Sequence, residues 1–314
     1  MTLAILCSGQ GGQHAAMFAL TAAAPQAAAL FERGSALLGH DPRDWVRSAD
    51  AEALRVNRNA QLLCTLQALS AVAALGDALP PRRCVAGYSV GEIAAWSVAG
   101  LIGPQDTLDL AAARAEAMDA ASRGGEGMLF VRGLGLAAIS RLCDGRDAAV
   151  AIVNPGEACV LAGQRAALQQ IGAEALHLGA ARVVAVAVNV ASHTRFLAAA
   201  SPVFRQRLAQ MHLASRPSAG TRLFCGIDGT AVLDVAAGAD KLALQISQPV
   251  QWAACLDGCV EAGADAFLEL GPGRALSEMA AGAYPGIEAR SLDDFRSLEG
   301  VLSWLARLER RSQD

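Results

Sequence analysis

The sequence predicts an α/β fold in two parts: an α/β-hydrolase-like large domain around a parallel sheet, formed by residues 1–124 and 194–314, and a ferredoxin-like small domain inserted at 125–193. Three observations lead there. Val85-Ala86, Gly87-Tyr88-Ser89-Val90-Gly91-Glu92 and the run from Ile93 to Ala99 have the strand, sharp turn, helix order of a nucleophile elbow, G-x-S-x-G. Short apolar runs alternate with helical stretches on both sides of the insertion, which is the rhythm of a parallel sheet crossed by helices. Between them, after the glycine-rich link 122–127, the order of elements is βαββαβ.

Taken in order, residues 3–7 are an apolar strand running into Ser8-Gly9-Gln10-Gly11-Gly12-Gln13. Glycines there let main-chain N–H groups approach a ligand, although a plain connection explains the segment as well, and the spacing is not that of a dinucleotide site. Residues 14–39, 43–56 and 59–75 read as helices, 93–99 as the helix that ends the elbow at Gly100, and 104–121 as a helix opened by Gly103-Pro104. The insertion reads as strand 128–131, helix 136–143, strand 148–153, a turn at Asn154-Pro155-Gly156, strand 158–162, helix 164–176 and strand 182–190. Beyond it come a helix over 195–213, a strand over 222–227, a helix over 239–246, a helix opened by Pro249 and running to 262, a strand over 266–270 closed by Gly271-Pro272-Gly273, and two more helices. No internal repeat is present.

Composition narrows the function classes. With 314 residues, 53% apolar and 18% charged, the chain can bury a large core. A formal charge of −4 and the absence of a basic cluster argue against nucleic acid as a partner. Eight scattered cysteines without a paired framework or a nearby histidine cluster read as buried free thiols in a reducing compartment, so the expected location is cytoplasmic, with no metal site. The opening residues lack the basic region of a signal peptide, and residues 60–79, interrupted by Gln67 and Asp77, read as a core helix, so no membrane is expected as a partner.

Ser89, at the head of a helix, is the candidate nucleophile, although the pattern alone also fits an ordinary turn. A serine nucleophile needs a base. Of five histidines, His193 alone follows a strand to the boundary between the two parts, where clefts form; His14, His40, His177 and His212 lie in loops, at helix ends or on an arginine-rich helix. Arg114 lies on the edge of the stripe Leu108, Ala111, Ala115 and Met118, where it must snorkel to water or meet an anion, and its spacing favours snorkelling.

Gln10-Gly11-Gly12-Gln13, the elbow, Arg114, Asn154-Pro155-Gly156, Ser192-His193, Gln245 with Pro249-Val250-Gln251-Trp252, and Gly271-Pro272-Gly273 follow one another in the order seen in malonyl-CoA:acyl-carrier-protein transacylases, and in this the chain resembles that family over nearly its whole length. The resemblance implies that Ser89 carries the malonyl group as an ester and His193 is its base and acid. It further implies an oxyanion hole from the N–H groups of Gln10 and Val90, and Arg114 as the ligand of the free malonyl carboxylate. A main-chain carbonyl near Gln245 would orient the histidine, and Gln61 and Asn154 would line the pocket. Malonyl-CoA is the implied donor, the prosthetic thiol of an acyl-carrier protein the acceptor, and no bound cofactor is needed.

The sequence departs from the usual family pattern in three places. Tyr88 stands where a histidine commonly precedes the serine, Cys7-Ser8 replaces the usual Phe-Pro, and Ser291-Leu292-Asp293-Asp294-Phe295-Arg296 lies near the end. These features resemble the malonyl transferase (epsilon) subunits of malonate decarboxylases, and so the expected acceptor is the acyl-carrier subunit of that complex, with other decarboxylase subunits as partners. A transacylase of fatty-acid or polyketide synthesis is the alternative. A serine thioesterase would use the same elbow and histidine, and a non-catalytic carrier-docking module is a third reading. Arg195, Arg205 and Arg207 suit an acidic carrier, or a solvated helix face.

Overall fold

The computed structural model describes residues 1–311. β1 (Leu3–Cys7) is buried along its whole length because it is the middle strand of the main sheet. A series of turns leads to α1 (Ala28–Leu38), and α2 (Pro42–Ser48), α3 (Ala51–Arg55) and α4 (Asn57–Leu75) follow. β2 (Arg83–Gly87), α5 (Gly91–Val98) and α6 (Pro104–Ala121) complete the first part. The insertion consists of β3 (Glu126–Arg132), α7 (Leu136–Cys143), β4 (Ala148–Asn154), β5 (Ala158–Gln164), α8 (Arg165–His177) and β6 (Arg182–Val186). The chain then returns through α9 (Ala200–Leu208), β7 (Thr221–Leu223), α10 (Val235–Leu244), β8 (Val250–Gln251), α11 (Trp252–Glu261), β9 (Ala266–Glu269), α12 (Ala275–Ala283), β10 (Glu288–Ser291) and α13 (Leu298–Arg311).

The main sheet is parallel throughout, in the order β10-β9-β1-β2-β7. One face packs on α4, α5, α9 and α10 through Cys64, Ile93, Trp96, Phe204 and Leu242. The other face meets α11 and α12 through Phe267, Trp252, Leu256 and Leu276, and Met128, Ile152 and Val160 of the second sheet join the same cluster. The second sheet runs β6-β3-β5-β4-β8. Its four inserted strands pair antiparallel in the ferredoxin-like order, and β8 adds a parallel pair from outside the insertion. α4 is long and apolar enough to cross a membrane, and most of it is buried inside the protein. All eight cysteines are buried free thiols.

Several elements differ from those expected. Residues 14–24 are a chain of tight turns, with Met17 bonded to His14 and Thr21 to Phe18, because Pro25 begins the next helical turn and holds Ala24 extended. The helix expected over 43–56 is two, since Asp50 takes an extended backbone and its side chain caps the second at Ala53 N (2.7 Å). The 182–190 strand ends at Val186, the 195–213 helix is confined largely to α9, and the 222–227 strand to Thr221–Leu223. β8 lies at the start of the helix expected from Pro249 to 262, and β10 in the stretch expected to hold only the last two helices; both are short strands.

Candidate active site

The elbow forms because two residues lack side chains. A Cβ on Gly87 would overlap Glu92 N, and one on Gly91 would overlap Cys7 O, so the turn closes only with glycine at both places. Ser89 at its apex has φ 56°, a left-handed conformation that a non-glycine residue adopts at a cost and that pushes the hydroxyl out of the turn. The glycine loop lies directly against it: a Cβ on Gly9 would stand 2.8 Å from Tyr88 O and 3.4 Å from Ser89 Cβ. Val90 N–H, just before the first residue of α5, and Gln10 N–H donate to no acceptor among the described residues.

His193 is reached from the other half of the molecule. Its backbone, at φ 62°, is pinned by His193 N donating to Ile246 O (2.8 Å), and its ring stands between Ser89 Oγ (2.7 Å from Nε2) and Gln245 O (2.6 Å from Nδ1). A carbonyl only accepts, so Nδ1 carries the proton and Nε2 faces the Ser89 hydroxyl as an acceptor. Burial first and the nearby Arg114 charge second lower the imidazole pKa from 6.5 to about 3, with the Gln245 carbonyl opposing both. The ring is therefore neutral and ready to accept.

Arg114 does not snorkel. α6 is covered by α4 and α9, so the edge of its stripe is interior, and Arg114 is fully buried. Its Nη1 donates to Gln61 Oε1 (2.8 Å), its Nη2 donates to Gln245 Oε1 (2.9 Å), and its Nε has no partner. Two amides hold the guanidinium in place without neutralising it, which leaves its charge, the Nε N–H and the second hydrogens of Nη1 and Nη2 for an anion. Burial lowers its pKa to about 10, opposed by the charge of Glu92.

Gln245 joins the parts. Besides its carbonyl on His193 and its Oε1 on Arg114, its Nε2 donates to Ser89 O (3.0 Å) and to Glu92 Oε2 (2.6 Å). Glu92 is completely buried, and burial raises its pKa to about 7 against hydrogen bonds from Gly226 and Gln245. On the far side, Gln61 Nε2 donates to Asn57 Oδ1 (2.9 Å), as does Gln10 Nε2 (3.1 Å), so the glycine loop is tied to the arginine through α4. Asn154 is buried beside Tyr88, the neighbour of Ser89; its Oδ1 has no hydrogen-bond partner among the described residues, and it makes no hydrogen bond to Ser89, His193 or Arg114. Tyr88 itself packs edge-on against Trp252.

Glu92 and Asn57 were not among the expected site residues. An acid in the first turn of a helix and an asparagine at a helix start both read as ordinary dipole and end effects. Of the basic residues considered for a carrier, Arg205 is paired with Asp240 and Arg195 lies over Phe196. Among the described residues no group of three His, Cys, Asp or Glu side chains is gathered as for a metal.

A family model described as "Acyl transferase domain" matches residues 5–284. The malonyl CoA-acyl carrier protein transacylase of Mycobacterium tuberculosis strain H37Rv is 32% identical over 309 residues, covering 92% of this chain and 96% of the relative. That of Salmonella typhimurium is 30% identical over 314 residues, covering 96% and 98%. In three dimensions the chain is similar to MCAT from M. tuberculosis (TM-score 0.87, 31% identity, 98% of this chain and 100% of the other) and to the acyl-carrier-protein S-malonyltransferase of Burkholderia pseudomallei (0.87, 28%, 96% and 100%). The match runs from β1 through α12, the span that builds the elbow, the base and the buried arginine, and on that ground this chain belongs to the acyl transferase domain family.

Proposed function

We propose that this acyltransferase moves a malonyl group from malonyl-CoA, through an ester on Ser89, to the thiol of an acyl-carrier protein. The single observation that carries the reading is Arg114, a fully buried guanidinium held by two neutral amides with N–H groups to spare. Such a charge at the floor of a serine site calls for an acyl group that ends in a carboxylate. The names of the transacylases to which the chain is similar support the same donor and acceptor.

In the first half-reaction Ser89 Oγ gives its proton to His193 Nε2 and bonds to the thioester carbon, and the carbonyl oxygen becomes an oxyanion facing the N–H groups of Gln10 and Val90 at the start of α5. The C–S bond breaks, and His193 returns the proton to the departing CoA sulfur. In the second half the carrier thiol delivers its proton to Nε2, its sulfur attacks the ester, and Ser89 leaves and is reprotonated. Malonyl binding also prepares the base. The substrate carboxylate offsets the Arg114 charge, which is one of the two causes that hold the His193 pKa down.

Acylation is therefore expected to show no loss from histidine protonation near 6.5. A pH profile of malonyl-CoA kcat/KM should stay within about twofold between pH 5 and 6.5 in the double variant Glu92→Gln/Glu269→Gln, which removes both buried acids whose pKa burial raises to about 7. A limb at 6.5 in that variant would refute a buried neutral base. Stability follows the same sign: the unfolded histidine takes up a proton below 6.5, so what the neutral ring contributes is present above 6.5 and is lost as pH falls toward 3.

The acceptor is proposed on different grounds. The relatives' names favour a transacylase with an ordinary acyl-carrier protein over the malonate decarboxylase subunit that the sequence put first. Tyr88, seated between Asn154 and Trp252, is the observation that keeps the second reading open. Malonyl-loaded enzyme offered a fatty-acid-type carrier and a carrier bearing a phosphoribosyl-dephospho-CoA arm distinguishes them: faster transfer to the first supports the transacylase, faster transfer to the second the decarboxylase subunit, and release to water alone a thioesterase. Eight buried free thiols support a cytoplasmic setting.

A further inference from the structure

Glu269 is a buried carboxylate that the steps above do not use. It ends β9, beside Leu6 of the central strand, and is 1% exposed. Its Oε2 accepts from Ser277 N (2.8 Å), in the first turn of α12, while the Ser277 hydroxyl donates to Arg274 O (3.0 Å). A carboxylate at the start of a helix meets unpaired N–H groups and the positive end of the dipole, so this oxygen is fixed by a rigid element. The other oxygen, Oε1, accepts from Ser8 Oγ (2.8 Å). Ser8 is the first residue after β1 and is itself buried, two positions before Gln10.

Gln10 is thereby held from both sides. Its side chain is bonded to Asn57 on α4, and Cys64 on the same helix lies 3.3 Å from Gly9 O. Those contacts fix the loop to the helical layer. The Ser8 bond fixes it to β9 and α12 at the point where the chain leaves β1 and must turn toward Ser89, and farther along the segment His14 reaches Asp293, which also holds Gly273 N. A loop of glycines has no stiffness of its own.

We infer that Glu269 is a positioning residue for the oxyanion hole, holding Gln10 N–H in place through the Ser8 hydroxyl. This rests on the proposed role of Gln10 N–H. The bond acts on the transition state, because the oxyanion exists only there, so its loss belongs in the rate of acylation and not in substrate binding.

Ser8→Ala is the decisive variant, since alanine fits the buried site and leaves Glu269 anchored on α12. The rate constant for acyl-enzyme formation from malonyl-CoA, followed by single-turnover CoA release, is expected to fall about tenfold with KM changed less than twofold, below the ~10²–10³ cost of removing such a donor outright. Amide hydrogen exchange at residues 9–13 should quicken at least fivefold while α12 stays protected. Glu269→Gln should also slow acylation, and the double variant should be no slower than the slower single one, because both break the same tie. Unchanged acylation and exchange in Ser8→Ala would overturn the inference, as would additive losses or a fall in rate matched by lost protection of α12. If the wild-type enzyme formed no malonyl ester, the proposed function would fail instead, and the exchange measurement would still report whether Ser8 and Glu269 hold the loop.

Discussion

Ser89→Ala should abolish covalent loading: incubation with radiolabelled malonyl-CoA, which leaves one malonyl ester per wild-type chain, is expected to leave none. Among the described residues the side chain supplies the only oxygen within hydrogen-bonding distance of His193 Nε2, and nothing else at the apex of the elbow can take its place. Acyl transfer to a carrier should fall by ~10⁴-fold or more, in keeping with nucleophile removal in other serine enzymes. His193→Ala should cost about as much as Ser89→Ala, and the double variant should be no worse than either, because the base has no task without the hydroxyl. Retention of label in Ser89→Ala would place the nucleophile elsewhere. Loss of label together with loss of the folded state would be an artefact of the strained apex, so circular dichroism accompanies the assay. Alanine at φ 56° is strained no more than serine is, and the fold should persist.

The elbow was legible because its cause is local. Two glycines flanking a serine between a strand and a helix encode the turn within six residues, and the βαββαβ order of the insertion was equally local, turn by turn. Arg114 was not legible from its spacing. A helical stripe reports one partner face, whereas α6 is packed by both α4 and α9 and buries residues around most of its circumference, from Leu108 and Leu110 to Ala117 and Met118. The group that orients His193 is a main-chain carbonyl, which has no residue signature, and only resemblance pointed to Gln245. Glu92 was hidden by ambiguity of another kind, since its place in the first turn of α5 already accounts for an acid.

Arg114→Ala should change which acyl group is loaded. With malonyl-CoA, kcat/KM for acylation should fall by ~30- to several thousand-fold, the range expected when one partner of a buried, hydrogen-bonded charge pair is removed. Acetyl-CoA has no carboxylate to lose, and its loading should be unchanged or faster, so the ratio of the two is the informative quantity. The fall has two sources. The malonyl carboxylate would enter a buried site without a cation, and the Oε1 atoms of Gln61 and Gln245 would lose their donors. Arg114→Lys separates them: an ammonium restores the charge, but a single nitrogen cannot serve both amides and a carboxylate in the fixed geometry of a guanidinium, so it should recover only part of the preference for malonyl. A second readout is independent of substrate choice. The Arg114 charge helps to hold the His193 pKa down, so removing it should move the acid limb of acetyl loading to higher pH. An unchanged malonyl-to-acetyl ratio would remove Arg114 from substrate recognition. A changed ratio with an unmoved acid limb would keep the recognition and discard the electrostatic link between the arginine and the base.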